Sequence, residues 1–194
     1  WLDNLKLRLS YGTSGSDNID ASLWKGTWEP GTVTVDGVVT PIYKPGEMKP
    51  NPDLKWETTI SRNLGLDFGF LNNRIRGSLD FYWNTTKDIL MKVPVDASAG
   101  YANQFQNVGQ TSNKGLELSL GADLIHTKDF NLNFGLTYNF NKNNIDKLTD
   151  AALADVHTGW GSSMRVPNYD YIIRVDNPVG IIQGFKSAGF YTAD

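Results

Sequence analysis

Hydrophobic and polar residues alternate with period two in five separate stretches of this chain. From Leu5 to Tyr11, the residues Leu5, Leu7, Leu9 and Tyr11 alternate with Lys6, Arg8 and Ser10. Between Thr58 and Phe70, Ile60, Leu64, Leu66, Phe68 and Phe70 share one parity, opposed by Ser61, Asn63, Gly65, Asp67 and Gly69. The alternation resumes from Ile75 to Trp83, from Leu116 to Leu124 and from Phe130 to Phe140. Successive side chains of a strand point to opposite faces, so each stretch predicts a strand with one apolar face. Several keep the pattern for about ten residues, where an average strand has about five or six. Ten tilted residues are what a strand needs to cross a bilayer as part of a barrel.

The connections alternate in length. Short polar turns are expected at Asn72 and Asn73 and from His126 to Asp129, and long loops from Gly12 to Asp53, Met91 to Gln106 and Asn143 to Asn168. Outer-membrane barrels have short periplasmic turns and longer extracellular loops, which orients every strand. Asp36-Gly37, between Val33 and Thr40, is the dipeptide of a small hairpin inside the first loop. Phe68, Phe70 and Phe130 fall near the short turns, and Phe81, Trp83, Tyr138 and Phe140 near the long loops, as two interfacial girdles would require. The region from Tyr171 to Tyr191 is strand-rich without sustained parity. A soluble β-sandwich alternates in the same way, and strand length and loop asymmetry weigh against it.

Composition adds mainly exclusions. The 194 residues carry a formal net charge of -3 and no Cys, which removes disulfides, thiolate metal sites and cysteine nucleophiles. No basic stripe points to nucleic acid. The mean hydropathy of -0.36 is compatible with a barrel, whose lumen face and loops are polar. The chain opens at Trp1 without a leader and stops at Asp194 without a terminal feature, so it is expected to be an internal piece of a longer protein.

Among candidate functional residues, Arg76, Asp80, Glu117 and Asp123 lie on the inward parity and would line a lumen, either pairing with one another across strands or meeting a solute. No nucleophile or histidine stands beside these carboxylates to make them catalytic. His126 and His157 lack zinc-site spacing. The Asn139, Asn141, Asn143 series lacks the glycine and glutamate of a calcium loop. No catalytic residue, metal or cofactor is therefore expected. Trp24, Trp28, Tyr43, Tyr101 and Trp160 lie in the long loops, where flat rings could stack on sugars, fill a partner's pockets or pack the loops on themselves.

Five segments together carry a resemblance: LKLRLSYG (Leu5 to Gly12), NPDLKWETT (Asn51 to Thr59), NLGLDFGFLNNRIRGSLDFYWNTTKDIL (Asn63 to Leu90), NVGQTSNKGLELSL (Asn107 to Leu120) and NPVGIIQGFKSAGFY (Asn177 to Tyr191). They resemble the C-terminal barrel of the SusC/RagA-type TonB-dependent outer-membrane transporters of Bacteroidetes, with Ile181 and Gln183 departing from the family's pattern. The resemblance implies an all-β fold, a segment of about five spanning strands from an antiparallel transmembrane barrel of twenty-two. The plug domain and the other strands would lie outside this chain. It also implies TonB-energised import of an oligosaccharide or oligopeptide, a SusD-like surface lipoprotein as lid, and a setting that admits a dimer of transporter-lipoprotein pairs. A passive porin and a soluble carbohydrate-binding sandwich are the rival readings.

Overall fold

The structure, a computed structural model, describes residues 1–17, 21–149, 156–158, 171–184, 186 and 189. The long alternating stretches form strands β1 (Leu2–Ser16), β5 (Glu57–Phe70), β6 (Ile75–Pro94), β7 (Asn103–His126) and β8 (Asn131–Leu148). Between β1 and β5 lie a 3-10 turn at Ala21–Trp24, the hairpin β2 (Trp28–Val35) and β3 (Val38–Pro45), and the two-residue β4 (Met48–Lys49). Short strands β9 (Val156–Thr158), β10 (Tyr171–Ile173) and β11 (Ile181–Ile182) form a small separate sheet in the order β11-β10-β9.

In the wall β1, β5, β6, β7 and β8 follow one another as antiparallel neighbours of one sheet, to which the two-residue β4 adds in parallel beside β7. The sheet stays open, as a piece of a larger barrel would. Its register aligns the outward parity into apolar rows. One row is Leu5, Phe68, Gly77, Leu120 and Leu136; the next is Leu7, Leu66, Leu79, Leu118 and Tyr138; the third is Leu9, Leu64, Phe81, Leu116 and Phe140. Toward the edges these side chains are open, Leu7 at 70% and Leu9 at 82%, and central ones such as Leu66 and Leu118 are half-buried. A sandwich would bury such a face against a second sheet about 10 Å away, and among the described residues no second layer does so. An uncovered apolar band of this extent belongs against lipid.

Both short turns form near their expected positions. Leu71, Asn72 and Asn73 all take positive φ, a conformation that Asn tolerates better than most residues, and the Arg74 N–H closes the turn on Leu71 O at 3.3 Å. At the other turn, Thr127 N–H donates to Phe130 O at 2.9 Å. Asp36 and Gly37 have φ of 51° and 80°, the primed turn that matches strand twist, and join β2 to β3 as expected.

The loops are shorter than the sequence predicts. Met91 to Gln106, expected to be a loop, is sheet over its first and last four residues, because β6 runs on to Pro94 and β7 begins at Asn103. Likewise β8 continues to Leu148, into the stretch assigned to the third long loop. At 20 and 24 residues, β6 and β7 are about twice what a bilayer crossing needs. Their upper halves pair with each other through register shifts at Thr86/Ile89 and Ile89/Leu90, where Asp88 has a φ of 58°. Such bulges re-aim side chains and strengthen the local twist. Above them Val93 and Val108 are buried, with Met91 and Leu148 packed against them, a small core that holds the rim together.

Candidate functional site

The inward face carries the polar rows. One runs Arg8, Gly65, Asp80, Glu117 and Asn139; its neighbour runs Lys6, Asp67, Ser78, Ser119 and Thr137. Arg8 Nε donates to Asp67 Oδ2 at 2.9 Å, while Nη2 donates to Asp67 Oδ1 and to Asp80 Oδ2, each at 2.8 Å. The first two bonds form the bidentate fork that suits guanidinium and carboxylate. The third crosses β5 to reach β6. It can do so because Gly65 stands between: a Cβ there would come within 2.5 Å of Asp80 Oδ1 and 2.7 Å of Arg8 Cζ. One cation thus ties three strands together.

All four residues expected to line a lumen share this inward face. Arg76 Nη1 donates to Asp123 Oδ2 at 2.9 Å. Asp80 pairs with Arg8, and Glu117 Oε1 accepts a long bond of 3.4 Å from Asn139 Nδ2. Arg8 and Asp67 were not among the residues singled out as lumen-lining, although their inward parity was visible. What was missing was the register that places them beside Asp80.

Toward the long-loop side, Asn51 to Trp56 form a strap lying across β6 and β7. Asn107 Nδ2 donates to Lys55 O at 2.8 Å and to Asp88 O at 2.7 Å, and its Oδ1 accepts from Lys55 N–H at 2.8 Å. Asn51 Nδ2 donates to Phe105 O at 2.8 Å, and Gln104 Nε2 to Pro50 O at 2.9 Å. The segments NPDLKW and NVG are therefore two halves of one clamp, with a polar groove between them lined by Lys49, Asp53, Lys55, Gln104 and Gln106. Asn107→Ala removes three of these bonds. Two of the three hold the strap and one holds Asp88 on β6; at about 1 kcal/mol net for each, the strap should be released by about 1–2 kcal/mol, seen as faster hydrogen exchange over residues 51–56 of the full-length protein with exchange across the turn at Asn72 and Asn73 unchanged.

On β8, beyond the apolar band, Asp146 accepts from Ser112 Oγ at 2.7 Å, Asn144 Nδ2 at 2.9 Å and Gln110 Nε2 at 3.4 Å. Burial works to raise its carboxyl, but these bonds and the charge of Lys114 outweigh it and hold the group below the ordinary carboxylate range.

Of the loop aromatics, Trp28 and Tyr43 are brought together. Trp28 pairs with Pro45 and Pro30 with Tyr43, so both rings lie on one face of the β2–β3 hairpin, 70% and 74% exposed. Trp24 stands apart beneath the Lys25 ammonium, 4.4 Å from its ring centroid. Tyr101 is half-buried just before β7. Trp160 lies outside the described residues. Among the described residues no cluster of three His, Asp or Glu is placed to hold a metal.

Comparison with known proteins agrees with this architecture. Residues 1–171 match the family model described as TonB dependent receptor-like, beta-barrel. The TonB-dependent receptor SusC of Bacteroides thetaiotaomicron is 35% identical over 173 residues, covering 86% of this chain and 17% of that protein. TonB-dependent receptor P26 of Formosa agariphila is 38% identical over 141 residues, 73% of this chain and 14% of that protein. Among solved structures, the RagAB peptide importer in its open-open state superposes with a TM-score of 0.73 at 32% identity, over 90% of this chain and 18% of that one. The chain thus spans less than a fifth of the length of these relatives. With its lipid-facing rows, polar inner face and matching family model, the chain belongs to the TonB-dependent receptor β-barrel family, as a SusC/RagA-type segment of an outer-membrane wall.

Proposed function

We propose that this chain is part of the wall of a TonB-energised importer that brings oligomeric nutrients, a glycan or an oligopeptide, across the outer membrane beneath a SusD-like lipoprotein lid. The observation that carries the reading is the two-faced wall: apolar rows outward, and inward the charged rows built on Arg8, Asp67, Asp80, Arg76 and Asp123. Its agreement with relatives named TonB-dependent receptor SusC and RagAB peptide importer supports energised import. In this reading the oligomer binds between lid and barrel, a plug domain outside this chain is displaced through TonB, and the substrate passes the polar face without chemical change. Arg76, Asp80, Glu117 and Asp123 set the electrostatics of that passage, and the pairing of Arg76 with Asp123 and of Asp80 with Arg8 keeps those charges from trapping a charged solute.

The β2–β3 hairpin supplies the contact with the lid. A lone two-stranded hairpin is at best marginally stable in water, and this one is exposed on both faces along nearly its whole length. Trp28 and Tyr43 present the kind of rigid aromatic surface that dominates interfaces. The test uses the full-length protein with its lipoprotein: uptake of the oligomer should vanish when TonB is deleted, and Trp28→Ala with Tyr43→Ala should lower lipoprotein co-purification at least tenfold. Uptake that persists without TonB would favour a passive porin. Co-purification unchanged in the double variant would remove the hairpin from the lid interface.

A further inference from the structure

The outward rows change character abruptly at one level. Immediately beyond the row of Leu9, Leu64, Phe81, Leu116 and Phe140, the next row toward the long loops is Tyr11, Arg62, Trp83, Lys114 and Lys142. Three cations thus follow directly on the apolar band. The Arg62 guanidinium is braced between two rings, 5.1 Å from the Trp83 centroid and 6.0 Å from that of Tyr11, and donates a long bond to Thr85 Oγ1. Lys114 and Lys142 face each other on adjacent strands and are exposed, and among the described residues neither forms an ion pair. The rows above add Lys87, paired with Thr58, and Lys147, paired with Gln110. The carboxylate in this neighbourhood, Asp146, is hydrogen-bonded by Ser112, Asn144 and Gln110 and feels the charge of Lys114 without a direct ion pair.

The opposite end of the band is different. Near the short turns Asp3 and Asp129 offset Arg74 and Lys128 in sequence, Asp3 is taken up by the Asn73 N–H, and Arg74 donates to Asp123 O and Leu124 O. Positive charge in excess is therefore confined to one end of the lipid-facing surface. Strands of such barrels tilt by about 35–45°, so each step to a neighbouring strand changes depth by about 3 Å at a strand spacing of about 4.8 Å. Arg62, Lys114 and Lys142 then form an oblique ladder through the headgroup zone rather than a ring at one depth.

From this ladder we infer a binding site for an anionic lipid of the outer leaflet, its phosphate held by Arg62, Lys114 and Lys142 and its acyl chains lying along the rows of Leu9, Leu64 and Leu116. The inference rests on the barrel assignment and orientation above. Charge complementarity decides the occupant: unpaired cations beside an apolar band and flanked by aromatics suit a group that is acidic at its head and hydrocarbon below it. Cations that merely reach for water would gain nothing from lying on neighbouring strands with no direct ion pair to a carboxylate, since like charges directly opposite each other destabilise a sheet.

The test uses the full-length protein in non-ionic detergent. Phosphatidylglycerol or phosphatidylcholine is titrated in, and retained lipid is counted by native mass spectrometry. The wild type should retain phosphatidylglycerol over phosphatidylcholine, and Arg62→Gln with Lys114→Gln and Lys142→Gln should erase that preference, at about fivefold per cation, whereas Lys128→Gln on the short-turn side should leave it intact. Heat-modifiable gel migration reports whether each variant is a folded barrel; should the triple variant fail, Lys142→Gln alone is read, with about a fivefold loss expected. Equal retention of the two lipids by the wild type, an unchanged preference in the neutralised variant, or full displacement by inorganic phosphate would overturn the site. A protein that stays out of the membrane fraction would instead overturn the barrel reading.

Discussion

Replacing Leu118 by arginine is expected to abolish assembly of the full-length barrel in the membrane, while the same change at the next residue, Ser119→Arg, leaves it nearly intact. Leu118 sits on β7 in the row of Leu7, Leu66, Leu79 and Tyr138, flanked above and below by further apolar rows. A lipid-facing Arg near the middle of the hydrocarbon costs about 2–4 kcal/mol in such barrels, a large part of the few to about 15 kcal/mol that a folded protein commands. Ser119 faces inward, exposed beside Ser78 and Thr137, where a charged side chain stays in water. The measurement is the fraction of outer-membrane protein that migrates as a compact, heat-modifiable band. Equal damage from the two substitutions would mean that the faces are wrongly assigned, and greater damage from Ser119→Arg would favour a core packed on the polar side.

Gly115→Ala should be the more harmful of two otherwise similar changes on β7, the other being Gly121→Ala. Both glycines face inward in the interior of the sheet. At Gly115 a Cβ would lie 2.5 Å from the Phe140 carbonyl oxygen and 2.5 Å from Tyr82 Cζ, whose ring is laid over the glycine from β6. A ring can swing aside, but a backbone carbonyl engaged in the sheet cannot, so the strands must separate locally. Overpacking of this kind costs about 1–3 kcal/mol. At Gly121 the nearest atom is Arg76 Cγ at 3.5 Å, an ordinary contact, and the change should fall within about 0.5 kcal/mol. The comparison is read as the midpoint of urea-driven unfolding of the full-length protein in detergent or lipid. The clamp under Tyr82 explains the glycine of the NKG segment in physical terms: it is the floor for an aromatic ring on the neighbouring strand.

The lipid-facing half of this fold was legible in sequence because one physical demand is repeated without exception. Each strand must present an apolar residue at every second position of a fixed height, so Leu64 to Phe70 or Leu116 to Leu120 announces its face. The rim was not legible for the same reason in reverse. Beyond Trp83 the strand leaves the apolar band, nothing enforces alternation, and the stretch from Met91 to Pro94 reads as loop although it is paired strand. The bulges at Asp88 and near Val108 then break whatever parity survives. Pairing across the lumen face was hidden for another reason. Arg8 and Asp80 stand 72 positions apart, and only the register of β1 on β5 and of β5 on β6 brings them within reach across Gly65. Trp28 and Tyr43 could be nominated as exposed rings, but their common face depended on a turn placed between Asp36 and Gly37.

The continuation of β6 past the girdle sets a height that any partner must meet. From Trp83 to Pro94 the strand, at about 3.3 Å per residue and tilted by about 40°, rises roughly 28 Å above the outer aromatic girdle. In the assembly proposed above, a lipid-anchored lid seated on that rim would have to cover the same distance between its acyl chains and its first folded contact, which takes about eight to nine extended residues at about 3.3–3.6 Å each. In that assembly the wall would act as a gauge of tether length, and a lid anchored by a shorter leader would be held below the rim, against the side of the wall.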